Sequence, residues 1–111
     1  MDKIKYSDWK KVEMKVGLIL AVERVANTDK LYKLQVDVGE SEPRQIVSGL
    51  VPFYTVEDLM NKKIIVLTNL EPAKFKGEES NGMLLCAENT DENTCVFLTV
   101  EKDAKVGAIV T

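Results

Sequence analysis

A regular alternation of apolar residues over positions 14–23 limits the folds that this chain can adopt. Every second position in this stretch is apolar, namely Met14, Val16, Leu18, Leu20 and Val22. This two-residue period is typical of a β-strand with one buried face. A glycine inside the pattern, Gly17, predicts a bulge or a sharp bend of the kind that a barrel needs at its corners. The sequence therefore favours a curved β structure.

Further short β patterns follow, separated by turn residues. A second alternation covers residues 32–38, and strands are expected at residues 45–48, 64–68, 83–87, 95–100 and 106–110. Thr55 followed by Asp58 resembles a capping box, which predicts a short helix after the third strand. Ser7 and Asp8 predict a capped helical turn, with Trp9 closing one end of the core.

This order of elements predicts an all-β fold. It fits a five-stranded Greek-key barrel of the oligonucleotide/oligosaccharide-binding (OB) type, with a short helix after strand 3 and small N- and C-terminal appendages. A two-sheet sandwich is the alternative.

Length and composition indicate one folded domain spanning residues 1–111, with 45% apolar and 30% charged residues. No stretch approaches the ~20 consecutive apolar residues that a membrane helix needs. The N-terminus lacks the apolar segment of a signal peptide. We therefore expect a cytoplasmic protein that makes no membrane contact.

The residue types present argue against an enzyme. The chain has no histidine, which removes Ser-His, Cys-His and histidine-metal chemistry. Cys86 and Cys95 match no zinc-ligand spacing, and their apolar neighbours predict two small buried side chains rather than a disulfide. We expect no catalytic residue, no metal and no cofactor.

Charge alternates in blocks along the chain, although the net charge is only −3. Residues 1–33 carry eight Lys/Arg and five Asp/Glu, and residues 62–76 carry four and one, so each block has a net charge of +3. The blocks that follow them are acidic. If folding brings the two basic blocks together, an acidic protein could present a face that binds polyanions. Ordinary solvated lysines are the alternative that charge alone favours.

Three fragments could carry function, although each also has a plain structural interpretation. Residues 27–31 form a polar loop that ends in Lys30 and Leu31, and residues 48–50 end a strand at a glycine. In residues 74–83, Lys74 and Lys76 are expected to lie on one side of a strand, opposite Phe75. Ser80, Asn81 and Gly82 are expected to form a turn, and Met83 then offers a polarisable apolar surface.

Taken together, the fragments resemble a known family. N-x-D-K-L begins at Asn27, R-Q-I-V-S-G-L begins at Arg44, and N-L-x-P-A-K-x-x-G-x-x-S-N-G-M-L-L begins at Asn69. In order and spacing they resemble the tRNA-binding domain family, over nearly the whole chain from Trp9 to Val110. This module occurs as a stand-alone tRNA-binding protein, at the C-terminus of many methionyl-tRNA synthetases and in cytokine-like synthetase cofactors.

The resemblance implies an OB-fold homodimer that binds tRNA by shape near its outer corner, with little sequence preference. Lys30 is expected to contact phosphate, Ser80 to hydrogen-bond RNA backbone or ribose, and Met83 to pack on a nucleotide. The complete set of binding residues that it implies is Asn27, Lys30, Lys74, Lys76, Ser80, Asn81 and Met83.

Several expectations accompany the resemblance. The chain would act alone or as a trans-acting β subunit or cofactor of methionyl-tRNA synthetase. The alternatives are a secretion-type, peptide-binding chaperone of the same fold and an assembly module that no longer binds RNA. Residues 24–27 lack the proline that many members have, so a looser loop at Lys30 is expected. Glu78 and Glu79 are expected to point away from the RNA.

Overall fold

The computed structural model describes residues 1–111 and consists mainly of short antiparallel strands. The helices are α1 (Tyr6–Trp9) and α2 (Val56–Leu59), and the strands are β1 (Met14–Arg24), β2 (Tyr32–Asp37), β3 (Arg44–Ser48), β4 (Lys63–Leu67), β5 (Ala73–Phe75), β6 (Glu78–Ser80), β7 (Met83–Leu84), β8 (Cys86–Asn89), β9 (Thr94–Phe97) and β10 (Ile109–Val110). None of the helices is long and apolar enough to cross a membrane.

The main sheet curves into a nearly closed barrel. The long strand β1 pairs with both β2 and β4, β3 pairs with β2, and β7 pairs with β4, which gives the order β3-β2-β1-β4-β7. The last gap lies between β3 and the β6–β7 segment. There the Asn81 N–H donates to the Gln45 carbonyl oxygen over 2.8 Å. The predicted all-β barrel of OB type, with its helix after the third strand, is confirmed.

The barrel interior is filled by branched aliphatic side chains. The largest fully buried ones are Ile19, Leu34, Val36, Val38, Ile46, Leu50, Leu59, Ile64 and Val66. Helix α2 contributes Leu59 to this core and is held by the expected capping box. The Thr55 hydroxyl accepts from the Asp58 N–H over 3.1 Å, and the Asp58 carboxylate accepts from the Thr55 N–H over 3.0 Å. These hydrogen bonds lower the pKa of Asp58.

The bulge in β1 does not lie at Gly17, which corrects that part of the sequence prediction. The register slips between Ile19 and Ala21, so Leu20 forms the bulge and is 41% exposed. Gly17 instead allows close packing, because a Cβ atom there would lie 2.7 Å from the Val36 side chain. The glycine therefore makes room for the packing of the core.

The apolar alternation in β1 serves two clusters instead of one. Before the bulge, Ile19 faces the barrel core, whereas Met14 and Val16 pack outside the barrel in a second cluster with Ile65. Residues of the C-terminal segment, Ala104, Ala108 and Val110, cover that second cluster. The C-terminal appendage is thus attached through β10, which pairs with β1 at Met14 and Val110.

The N-terminal appendage also differs from expectation. Helix α1 has no side-chain cap and no buried residue, and Trp9 is 41% exposed. Trp9 therefore does not close the core. It borders a small surface groove with Tyr6, Val12 and Ile109. Cys86 and Cys95 are free thiols packed against the barrel core, as expected, but both are only partly buried.

Candidate nucleic-acid interface

One surface groove of about 300 Å³ is lined by all three sequence motifs. Its walls are Leu31 from the first motif, Val47, Ser48 and Gly49 from the second, and Leu70, Glu71, Ala73, Phe75, Ser80, Gly82, Met83 and Leu84 from the third. We call this the motif groove. Three of its apolar residues remain open to solvent, since Leu70 and Phe75 are each 44% and Met83 46% exposed. Motifs that lie far apart in sequence therefore build one site.

One wall of the motif groove is the hairpin of β5 and β6. Its turn is Lys76-Gly77, with φ angles of 53° and 83°, as in the two-residue turns that match the twist of a hairpin. The sequence prediction placed the turn at residues 80–82, so this is a correction. Lys76 consequently lies in the turn and not in the strand beside Lys74. Across the hairpin Lys74 faces Glu79, while Phe75 lines the groove.

Ser80 lies on the floor of the groove and is only 4% exposed. Its hydroxyl oxygen accepts from the Val47 N–H over 2.9 Å and donates to the Gly82 carbonyl over 3.0 Å. The hydroxyl proton is thus already used inside the protein, where the hydroxyl joins β3 to the β6–β7 segment. Gly82 has a φ of +126° and lies so close to the Leu67 carbonyl that a Cβ atom would approach it to 3.0 Å.

Arg44 is a site residue whose role the sequence analysis missed. Its guanidinium donates to both Glu40 carboxylate oxygens over 2.8 Å, to the Thr68 carbonyl over 2.6 Å and to the Asn81 carbonyl over 3.4 Å. It therefore joins the end of β4 to the segment that carries Asn81. The hydrogen bonds between Arg44 and Glu40 raise the pKa of Arg44 and lower that of Glu40. From the sequence alone, an arginine next to a turn is expected to be exposed to solvent. Only the folded structure shows which segments it connects.

The loop of residues 25–31 is held by several hydrogen bonds. The Val25 N–H donates to the Leu31 carbonyl over 3.0 Å, and the Thr28 hydroxyl donates to the Val25 carbonyl over 2.8 Å. The Lys30 carbonyl accepts from the Val51 N–H over 3.1 Å. Asn27 takes the left-handed conformation with a φ of 61°, which asparagine tolerates. These bonds tie the backbone that carries Lys30 to the end of β1 and to Val51.

The lysines around the motif groove lack carboxylate partners. No ion pair involves Lys30, Lys74 or Lys76, and all three are exposed. Lys30 adjoins the lining residue Leu31, while Lys74 and Lys76 flank Phe75. All three cations are therefore open to solvent and can attract a polyanion.

The two acids of the hairpin differ in their surroundings. Glu78 contacts Lys33 at 2.9 Å, and Lys33 also contacts Glu23 at 2.9 Å. Both carboxylates hydrogen-bond Lys33 and raise its pKa, with the larger effect from Glu23 and the next from Glu78. Glu78 therefore holds the hairpin against β2. Glu79 is exposed opposite Lys74.

A nearly closed five-stranded barrel with an apolar groove, and with unpaired lysines next in sequence to residues of its lining, has the form of an OB-type nucleic-acid-binding module. Comparison with known families agrees with this class. The family model described as "Putative tRNA binding domain" matches residues 14–109. The chain belongs to this family.

Similar proteins include methionine–tRNA ligases and smaller proteins. The ligase of Methanosarcina mazei is 49% identical over 105 residues, which cover 95% of this chain and 14% of that protein. The ligase of Methanocaldococcus jannaschii is 46% identical over 110 residues, which cover 99% of this chain and 17% of that protein. The chain thus spans only a small part of the length of these relatives.

Solved structures of the same size also match. The MetRS-related protein from Pyrococcus horikoshii superposes over 100% of both chains with a TM-score of 0.92 and 40% identity. The CsaA chaperone protein from Picrophilus torridus matches 98% of this chain and 100% of its own, with a TM-score of 0.87 and 26% identity.

Proposed function

We propose that this protein is a non-catalytic module that binds tRNA in the motif groove, by shape and backbone contacts and largely without regard to sequence. The observation that carries the proposal is the meeting of three distant motifs in one apolar groove whose neighbouring lysines are unpaired. Lysines supply the attraction to phosphate, and apolar surfaces supply contact with bases and ribose. Family membership supports the same ligand.

The expected residues take distinct roles in this proposal. Lys30, Lys74 and Lys76 contact phosphates at the rim, and Met83 packs on a nucleotide. Asn27 and Asn81 hydrogen-bond the RNA backbone, since neither side-chain amide has a partner within the protein. Ser80 acts indirectly by holding the barrel closed beneath Met83.

The relatives suggest a context for this binding. Their names support a role beside methionyl-tRNA synthetase, with the module acting alone or as a trans-acting subunit or cofactor. Tethering tRNA close to a synthetase would raise its effective concentration there. We therefore place this tRNA binding in the cytoplasm as part of the proposal.

We also propose that the protein forms a homodimer. The terminal helix and strand present an apolar area, the terminal patch, made of Tyr6, Trp9, Val12 and Ile109. Tyr6 is 72% and Ile109 59% exposed, and such exposure of neighbouring apolar groups marks interaction sites. Sedimentation at micromolar concentration should give the mass of two chains, and Ile109→Lys should give that of one. A wild-type mass of one chain would refute the dimer.

Peptide binding is the second candidate function. It is favoured by the apolar lining and the exposure of Phe75 and Met83, and by the likeness to the CsaA chaperone protein. An apolar peptide would gain little from the unpaired lysines. RNA can use both the apolar groove, for its bases and ribose, and the lysines, for its phosphates. We therefore rank tRNA first and include a peptide in the test.

Fluorescence anisotropy of labelled tRNA against salt concentration tests the proposal. Affinity should fall steeply with salt, and Lys30→Ala or Lys74→Ala should weaken binding and lower the salt slope by about one. Lys102→Ala is the matched control, because that exposed lysine does not line the groove. If tRNA fails to bind at low salt while an unfolded apolar peptide binds, the peptide reading replaces this one.

A further inference from the structure

The interior of the motif groove is unsuited to phosphate. Its lining is mostly apolar, and the one ionisable residue among the twelve that line it is an acid, Glu71. That carboxylate forms no ion pair and no hydrogen bond within the protein, and it is exposed. A free carboxylate repels phosphate oxygens, but it accepts hydrogen bonds from amino groups.

The cations are arranged in the opposite way. Lys30, Lys74 and Lys76 do not line the groove but adjoin lining residues in sequence, and on β5 Lys74 lies on the face opposite Ala73 and Phe75, which do line it. Charge therefore divides the site into an apolar lining that contains one anion and cations that lie outside that lining. A nucleotide fits this division if its phosphate stays at the edge and its base enters.

The groove also offers surfaces that suit a flat aromatic ring. Phe75 and Met83 both line it and are 44% and 46% exposed. Proteins that recognise single-stranded RNA stack splayed bases on such side chains. At the same groove, Gly49 makes no backbone hydrogen bond through either its N–H or its carbonyl, so both groups remain open to a base edge.

We infer that the motif groove receives one unstacked nucleobase of the bound tRNA. Phe75 stacks on that base, and Glu71 selects one that carries an exocyclic amino group, as in adenine, cytosine or guanine. The inference rests on the proposed tRNA binding and adds to it a site that reads base chemistry. Uracil has only acceptors and a ring N–H, so its carbonyl oxygens would meet the Glu71 carboxylate unfavourably.

Substitutions at Phe75 test stacking. Phe75→Ala and Phe75→Leu should each weaken tRNA binding by roughly 5-fold or more, since stacking on an aromatic ring contributes about 1–3 kcal/mol per base. Phe75→Trp should retain affinity because it keeps a flat ring. Val96→Ala is the control, as Val96 is 53% exposed and lies outside the groove. If Phe75→Leu binds tRNA as tightly as wild type, or Phe75→Trp binds as weakly as Phe75→Ala, stacking is overturned.

Single-stranded hexaribonucleotides test selection by Glu71. Wild type should bind hexamers of A or C roughly 5-fold more tightly than the hexamer of U. Glu71→Gln should remove most of this preference, because its amide can donate to uracil as well as accept from an amino group. Glu79→Gln is matched in charge but lies outside the groove, so it should strengthen binding of all hexamers equally. Equal binding of the three hexamers by wild type, or a preference unchanged in Glu71→Gln, overturns selection by Glu71.

The two proposals fail in different ways. If tRNA binds with the expected salt dependence but the Phe75 and Glu71 variants behave as their controls, the proposed base site is overturned and the proposal of tRNA binding is supported. If the hexamers show the expected preference but tRNA does not bind, the base site stands and tRNA as the ligand falls. Binding of neither RNA overturns both.

Discussion

Ser80→Ala should destabilise the protein through the closure of the barrel. The hydroxyl is 4% exposed, accepts from the Val47 N–H over 2.9 Å and donates to the Gly82 carbonyl over 3.0 Å. Its removal strands a buried N–H donor, which costs about 1–3 kcal/mol. Val47 is itself 9% exposed, so water reaches that amide poorly. We expect a loss of about 2 kcal/mol in the free energy of unfolding.

Urea denaturation measures this loss. With a slope of about 1–3 kcal/mol per molar, the midpoint should fall by roughly 1 M while the slope stays unchanged. Ser41→Ala is the control, because Ser41 is exposed and its hydroxyl makes no hydrogen bond. Equal midpoints for Ser80→Ala and Ser41→Ala would refute the account of barrel closure.

The same variant separates positioning from direct contact. Ser80→Ala should weaken tRNA binding because the segment that carries Met83 loses its anchor, yet no contact with phosphate is removed. The salt slope of binding should therefore equal that of wild type. A slope lowered by about one, as for a lysine variant, would place Ser80 in direct contact with phosphate.

Three further predictions concern the barrel and its surroundings. Gly17→Ala should lower the free energy of unfolding by about 1–3 kcal/mol, because its Cβ atom would lie 2.7 Å from the Val36 side chain; a urea midpoint equal to that of wild type would contradict this packing. Arg44 holds the pKa of Glu40 below its ordinary value of 4.5, so the pair stabilises the fold above that pH and the contribution is lost as pH falls through the folded-state pKa. Between pH 6 and pH 3 the free energy of unfolding, measured by denaturation, should fall less for Glu40→Gln than for wild type. Equal decreases in the two proteins would contradict the linkage. Burial first, and then the hydrogen bond to Cys95, raise the pKa of Cys86 to about 12. In Cys95→Ala protein, Cys86 should therefore react with a disulfide reagent at pH 8 more slowly in the native state than after unfolding in urea, and equal rates would contradict this.

Local rules account for the parts of the fold that the sequence predicts well. The capping box depends on Thr55 and Asp58 alone, which lie three positions apart, and both of its hydrogen bonds form. The alternation in β2 faces a single core, so its buried residues follow the predicted period. The motif groove could be anticipated only by family resemblance, because nothing local joins Leu31 to Met83.

The features that the sequence did not predict depend on pairing between distant segments. In β1 the apolar positions serve two clusters, and period alone cannot assign a residue to the barrel core or to the C-terminal segment. The hairpin turn at Lys76-Gly77 requires a positive φ of 53° at a lysine. Judged by residue type, Asn81-Gly82 is the more favourable place for a turn. The sequence predicts an exposed turn residue at Ser80, but the pairing of this segment with β3 buries it. Arg44 likewise gains its role only when β4 and the β6–β7 segment meet.

The most direct test of the central claim uses the four methionines of the chain as probes. Only Met83 lines the motif groove, while Met14 is buried and Met1 and Met60 lie elsewhere. In protein labelled with ¹³C at the methionine methyl groups, titration with tRNA should shift or broaden the Met83 signal first and most strongly. If tRNA binds, as shown by anisotropy on the same sample, while Met83 keeps its signal and Met1 or Met60 changes, the RNA lies elsewhere and the motif groove is not its site.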